Sequence, residues 1–458
     1  MCKSLLVLLC SAAVLSTVAA RAQPLECMKR CNFQDFVISA WWGLDPTEEN
    51  YRKIAEAGFN VVLTYRDRYD SDFDRNLDAT QEHPAGEGQP EAPAERHSGG
   101  RLPLREMELA QKYGLSLMID GFSFGAFSYQ AWEPWISIEA GRSHHDALAD
   151  KIAWFHEHYG DNPTIMGYLL NDNTGGIHDN DLRAARYLQQ AAPGLIAWNS
   201  DNPDPSRQST VRDVLPALSS QNYAFLYLVN QPETEKRRAY LDGMEGDRRL
   251  ANAYGFALWP IFSVDGGVNA SQLRYQAYGA VAYGAQGIWY FTQGCLSGDC
   301  SLTILSCMQW RPGSDELWEP AAETNRYLRD HVGPRVIGQR CVGVYHTPGP
   351  EIPQAALTPA EGRLVQSMSR GLLAGVLVRE PEFFRGEAAA RYLMVVDKRT
   401  VPYGEPEPGP RRVWVQLGPS VEQVTVITPQ GPERRELSAS GAFSLELRAG
   451  EGRLVQLD

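Results

Sequence analysis

Residues 165–176, Ile165-Met166-Gly167-Tyr168-Leu169-Leu170-Asn171-Asp172-Asn173-Thr174-Gly175-Gly176, join an apolar run to a polar, glycine-rich turn. A continuous apolar run of this length suits a parallel strand covered on both faces. Polar residues placed just past such a strand's C-terminal end stand where strand–helix architectures put their chemistry. Asn171, Asp172 and Asn173 hold that place here. Asp172 reads equally as a catalytic carboxylate or as a helix N-cap or Asx-turn in an Asn/Gly-rich loop.

Outward from this turn the pattern repeats. Strand-like runs are expected at Phe36–Trp41, Asn60–Tyr65, Leu115–Asp120, Leu195–Asn199, Ala217–Tyr223, Tyr254–Trp259 and Gly287–Phe291. Helical segments separate them. Thr47–Ala57 has Thr47 as N-cap and Gly58 as stop. Arg105–Tyr113, His144–Tyr159, Asp179–Ala192, Glu233–Ala251, Ser271–Tyr283 and Glu319–Asp330 follow in turn. Alternation of this kind predicts an α/β fold, a (β/α)8 TIM barrel over 23–335. A doubly wound sheet is the alternative, although no Gly-x-Gly-x-x-Gly follows the first strand. Residues 66–100 are rich in Asp, Glu, Pro, Gly and Ala and form a loop insertion after the second strand.

The texture changes near Gly333. Short β-rich runs recur at Cys341–Tyr345, Gly371–Val378, Tyr392–Val396, Val413–Leu417, Gln423–Ile427, Phe443–Leu447 and Arg453–Leu457, separated by turn residues. This predicts an antiparallel β-sandwich domain over 336–458. Its expected role is packing against the barrel, with a carbohydrate-binding role as the alternative.

The chain has 458 residues and a formal charge of −13, which argues against nucleic acid or an anionic membrane as partner. Lys3, the apolar run Leu5–Val18 and the small-residue end Ala20-Arg21-Ala22 read as a signal peptide over 1–22. The alternative is a short membrane anchor, but the run falls short of a bilayer span of about 20 residues. A secreted or periplasmic protein is expected, with no membrane contact after cleavage. Six of the eight cysteines lie beyond this segment, and an even number in an exported chain favours disulfides. Locality suggests Cys27 with Cys31 and one pair within Cys295–Cys307. Zinc is the alternative, but no histidine sits near Cys27, Cys31 or Cys295–Cys307. Asn269-Ala270-Ser271 is an N-glycosylation sequon for a eukaryotic host.

Residues just after the expected strands form a coherent set: Trp41 and Trp42, Asp120, Asn171 to Asn173, Trp198 and Asn199, Gln221 to Tyr223, Trp259, Asp265, Trp289, Tyr290, Thr292 and Gln293. Aromatic faces stack on the apolar faces of sugar rings, while amides and carboxylates bind hydroxyls. Lys and His are missing from the set. A phosphorylated substrate would call for basic groups or a glycine cradle, so an oligo- or polysaccharide is the expected partner. Trp42, Asn171, Asn173, Gln221, Asn222, Trp259, Trp289, Tyr290 and Gln293 are the candidate substrate-binding residues. No cofactor is expected. Nor is a metal: His156-Glu157-His158 on a helix points its histidines apart, and His-Glu-x-x-His does not occur. The remaining mechanism is a carboxylate pair, as in glycoside hydrolysis, with Asp172, Asp265 and Asp120 as candidates. For Asp265, within Ser263-Val264-Asp265-Gly266-Gly267, a turn role is the alternative.

Four segments resemble the (β/α)8 glycoside hydrolases of the β-galactosidase and cellulase type that carry a C-terminal β-sandwich. These are Ala40-Trp41-Trp42-Gly43 with Tyr51–Asn60, then Asn162–Leu170, Tyr275–Phe291 and Ala449–Val455. The resemblance implies the fold and a sugar-lined cleft. It departs at the catalytic positions. The family's fourth strand leads into Asp-Glu-Pro or Asn-Glu, whose Glu is the acid/base; here Asp172-Asn173-Thr174 puts Asn173 in its place. Many relatives have Asp-His-Tyr-Pro after the sixth strand, where this chain has Gln221-Asn222-Tyr223-Ala224. The nucleophile is expected as a Glu just after the seventh strand, and Trp259-Pro260-Ile261-Phe262-Ser263 contains none. A hydrolase with relocated carboxylates, a glycan-binding pseudo-glycosidase and a ligand-free structural protein all remain open.

Overall fold

The structure is a computed structural model that describes residues 23–41, 46–64, 102–120, 159–171, 179–200, 214–264, 267–291 and 317–458, with Ile152, Ala153, His156, Glu157 and Ile177. The signal-peptide segment, the 66–100 insertion and Cys295, Cys300 and Cys307 lie outside the described residues.

The N-terminal part is α/β with parallel strands. One arc runs β2 (Val61–Leu63), β3 (Ser116–Asp120), β4 (Ile165–Asn171), β5 (Ile196–Asn199). The other runs β1 (Val37–Ala40), β10 (Gly287–Phe291), β9 (Ile261–Ser263), β7 (Gln221–Asn222). A short parallel pair, β6 (Ala217–Leu218) and β8 (Ala257–Leu258), continues β7 and β9 backwards. Every one of these pairings is parallel, as strand–helix crossovers require. Asn60 stitches β1 to β2. Its backbone N–H donates to the Ile38 carbonyl at 3.2 Å, its amide to the Phe36 carbonyl at 2.7 Å, and its Oδ1 accepts from the Ile38 N–H at 2.8 Å.

Helices form where the sequence signals them. α1 (Glu48–Glu56) is capped by Thr47, whose side chain accepts from the Asn50 N–H, and it stops at Gly58 with φ +82°. Leu102–Tyr113 (α2), Asp179–Ala191 (α3), Ala224–Tyr227 (α4), Glu233–Tyr254 (α5) and Ala270–Ala282 (α6) follow. Trp318–Tyr327 (α7) widens into a π turn at Leu328–Val332 and ends in Gly333–Val336 (α8).

Two apolar layers result from strand alternation. Inside the arcs, Val37, Val61, Leu63, Met118, Leu169 and Ile196 meet four tryptophans, Trp41, Trp198, Trp259 and Trp289. Trp198 and Trp289 stack at 4.2 Å between centroids, and Trp41 meets both edge-on at 5.6 and 6.2 Å. Leu25, Met28 and Cys31 belong to the same cluster. The expected Cys27–Cys31 bridge is not formed; both are free thiols, as is Cys341. Cys31 turns its sulfur toward the Cys27 carbonyl at 4.0 Å, and burial pushes the two thiols up to about 11 for Cys27 and about 12 for Cys31.

The C-terminal part is antiparallel. β11 (Gln339–His346), β13 (Leu372–Arg379), β14 (Ala390–Asp397), β19 (Gly452–Leu457), β16 (Gln423–Thr428) and β17 (Gly431–Glu436) form one sheet in that order. β12 (Val365–Met368), β15 (Arg411–Leu417) and β18 (Ala442–Leu447) form another. One apolar cluster draws on both sheets, with Val376, Leu393, Val395 and Val455 from the first and Val413, Val415, Phe443 and Leu445 from the second.

The two parts meet on α6. Residues Ser271–Ala282 of this helix are buried all round, since parallel strands lie on one side and β13, β14 and β19 on the other. Gly375 of β13 lets the sheet approach the Ala282 carbonyl, where any Cβ would collide with backbone. Polar ties lock the junction. Arg340 donates to the carbonyls of Gly255 (2.9 Å) and Phe256 (2.6 Å) at the end of α5, and Tyr327 donates to the Ile427 carbonyl at 2.6 Å. Asn269 is one such tie. It closes a capping box with Gln272, and its amide donates to the Val401 carbonyl at 2.8 Å. The sequon nitrogen is therefore committed to the junction rather than presented for glycosylation.

Candidate active site

The C-terminal ends of the parallel strands converge above the tryptophan layer. Alternation along β3 puts Met118 in the interior cluster, so Asp120, two residues on, takes the same inward phase. Its backbone N–H donates to Thr64 Oγ1 at 2.9 Å, which ties the end of β3 to the end of β2. Among the described residues at these strand ends, Asp120 is the one carboxylate. The same phase carries Ser200 beyond Trp198, Gln221 beyond Ser219, and Ser263 beyond Ile261. Gln221 Nε2 reaches Ser200 Oγ at 3.4 Å, which joins the β5 and β7 ends across a seam with no strand ladder among the described residues. Tyr223 packs on Phe291 at 5.0 Å, and the neighbouring Tyr227 is 70% exposed. The strand ends thus gather one acid, two buried hydroxyls, an amide and an aromatic edge above the buried tryptophan layer.

Several candidate residues go elsewhere. Trp259 and Trp289 are fully buried; Trp289 stacks face to face on Trp198, and Trp259 meets Trp198 at a tilt of 58° and 6.3 Å. A sugar cannot stack on a face that another ring already covers. Tyr290 points outward from β10, and its hydroxyl donates to Asn325 Oδ1 of α7 at 2.7 Å. Burial holds that phenol well above its usual range. Asn222 also faces outward and donates to the Tyr240 carbonyl of α5 at 2.9 Å. All four are buried, the tryptophans in the inward phase and Tyr290 and Asn222 in the outward one, and the sequence list took both phases. Gln221 alone of the binding candidates has its side chain described at the rim. Asn171 ends β4, with its side chain outside the described atoms. Trp42, Asp172, Asn173, Asp265 and Gln293 lie outside the described residues.

Ser200 and Ser263 escaped the sequence reading. The inward alternation from Trp198 and Ile261 was the signal that finds them. The Gly-x-Ser-x-Gly elbow of serine hydrolases, which the sequence reading took to be absent, is present as Gly121-Phe122-Ser123-Phe124-Gly125 directly after β3. It lies outside the described residues. No group of three metal-ligating side chains occurs among the described residues, and no described helix is long and apolar enough to cross a membrane.

Comparison with known proteins places this geometry in a fold. No family model matches the chain, and no curated protein matches it in sequence. Solved structures do match. A glycoside hydrolase aligns over 92% of both chains with TM-score 0.53 at 12% identity. A family 5 glycoside hydrolase from Bacteroides vulgatus aligns over 92% of this chain and 89% of that one, with TM-score 0.50 at 13% identity. The chain therefore has a glycoside-hydrolase-like fold, shared along nearly its whole length.

Proposed function

We propose that this protein is a secreted, glycoside-hydrolase-like protein acting on a neutral glycan, with its parallel strands closed into a (β/α)8 barrel over 23–335 and a β-sandwich over 336–458. The observation that carries the reading is Asp120, held in the inward phase at a strand's C-terminal end, in a fold whose solved likenesses are glycoside hydrolases. Two carboxyls about 5–10 Å apart suffice for glycosidic cleavage, one protonating the leaving oxygen and one attacking or activating water. Asp172 is assigned as the acid, with Asp120 or Asp265 as its partner. Gln221, half-buried at the end of β7, is assigned to bind hydroxyls.

A second reading has its own support. Asn173 stands where the resemblance puts the acid/base Glu, and residues 259–264 contain no carboxyl. An amide cannot deliver a proton near neutral pH. That set fits a glycan-binding pseudo-glycosidase.

Sugar release from a broad glycan panel separates the two. The hydrolase reading expects turnover by wild type and a loss of about 100-fold or more in Asp172→Ala and in one of Asp120→Asn and Asp265→Asn. Unchanged activity in Asp172→Ala removes the residue assignment. Binding without turnover across the panel establishes the second reading. Activity lost in Ser123→Ala but kept in the aspartate variants would point to acyl-transfer chemistry instead.

A further inference from the structure

A cleft of about 660 Å³ lies away from the strand ends, between α7 with its π turn and the antiparallel sheets. One ion pair ties its walls across the junction and two more brace its sheet side. Arg448 meets Glu323 of α7 at 3.0 Å and Glu451 at 3.5 Å, and Arg453 meets Glu451 at 2.8 Å. Arg453 also lies over the Tyr327 ring at 5.2 Å, and the His331 ring of the π turn stacks against Tyr327 at 6.1 Å between centroids. Burial pushes the Glu451 carboxyl up, but Arg453, Arg448 and the Arg448 N–H outweigh it and hold it below the usual range. The largely buried Arg453–Glu451 pair holds the sheet side of the cleft in place, which lowers the ordering cost of binding there.

Its chemistry narrows the ligand. Three guanidiniums face four carboxylates, so the lining as a whole carries a slight negative excess. A phosphate or sulfate ester is repelled, and a cation competes with arginines already in place. Planar guanidinium and carboxylate groups both address adjacent hydroxyls two at a time, one set donating and the other accepting. Gln430 and Glu446 add lining side chains without a partner among the described residues. Glu446 points outward from β18, opposite Arg412 of β15. On that same outward face, opposite Ser444, stands Trp414, which is 45% exposed. An aromatic face beside paired donors and acceptors is what a sugar ring requires.

We propose that this junction cleft, with Trp414 beside it, holds a neutral oligosaccharide as a second site that performs no chemistry. The proposal rests on the glycan reading of the protein but not on catalysis.

The test is titration of the full chain with cellohexaose, mannohexaose, xylohexaose and maltohexaose, followed by calorimetry. Wild type, Gln430→Ala/Glu446→Ala, Trp414→Ala and Asp120→Asn are compared. At least one oligosaccharide is expected to fill a class of sites that survives in Asp120→Asn. Gln430→Ala/Glu446→Ala and Trp414→Ala are each expected to weaken that class about tenfold. Hydrolysis of small aryl glycosides, where present, should be unchanged in these cleft variants. Loss of hydrolysis everywhere with cleft binding retained would end the catalytic reading and leave this one standing. Panel-wide failure to bind, or equal binding by wild type and the cleft variants, overturns it.

Discussion

Tryptophan has opposite fates in the two parts of this molecule. In the parallel part, Trp41, Trp198, Trp259 and Trp289 fill the space between the arcs and are at most 3% exposed. In the antiparallel part, Trp414 stands 45% exposed at the middle of the outer face of a three-stranded sheet. Strand alternation decides both cases. Parallel strands are covered on both faces, so either phase leads into a core. The small antiparallel sheet is covered on one face only, by Val413, Val415, Phe443 and Leu445, and the other phase remains in solvent. An aromatic residue near a strand's end therefore reports a ligand site only where that phase is left uncovered.

The contrast can be broken experimentally, most sharply in the core. Trp198→Ala removes the ring that stacks on Trp289 and touches Trp41 and Trp259, so a loss of about 3–5 kcal/mol is expected in denaturant unfolding. A loss below about 1 kcal/mol would mean that the tryptophan layer is not a packed core.

The junction between the parts supplies the intermediate effect. His346 is buried beside Tyr283 of the parallel part at 3.1 Å, and burial, then the Lys398 charge, drives its pKa down to about 3. An unfolded histidine titrates near about 6.5, so between these values the unfolded chain takes up the proton and the folded chain does not. The stabilising contribution is complete above about pH 6.5 and is lost as pH falls toward 3, at up to about 1.4 kcal/mol per pH unit. His346→Gln should flatten that limb of the stability–pH curve. An unaltered limb would place the acid sensitivity elsewhere.

The smallest effect belongs to the exposed ring. Trp414→Ala should change unfolding free energy by no more than about 0.5 kcal/mol, since the side chain covers no core. A loss comparable to that of Trp198→Ala would show that the outer face is covered after all.

Much of the architecture was legible in sequence, because period and punctuation are local. β10 occupies Gly287–Phe291 as read, and Thr47 and Gly58 bound α1 as their chemistry dictates. Other elements resisted for identifiable reasons. The seventh strand was read to end at Trp259, but the chain continues past Pro260 into β9, which the proline's missing donor disguised. Tyr254 was assigned to that strand and instead ends α5, where Gly255 takes the left-handed cap. β17, Gly431–Glu436, is an edge strand of Gly, Pro and four charged residues, so it carries no apolar alternation to find. At the candidate site, position was readable but direction was not. Tyr290 and Asn222 sit where the strands end, yet each turns outward to a helix that only the tertiary fold puts there.

The all-round burial of α6 has a consequence for how this chain could be rebuilt. Ser271–Ala282 has no solvent face, so the antiparallel sheets act as the missing outer wall of the parallel part. Gly375 is fitted to that wall by the absence of a side chain, and Asn269 and Arg340 are bolted across it. Units joined this way are not interchangeable cassettes. A chimera that replaced residues 336–458 with another antiparallel module would inherit an apolar helix cut to the shape of the part removed.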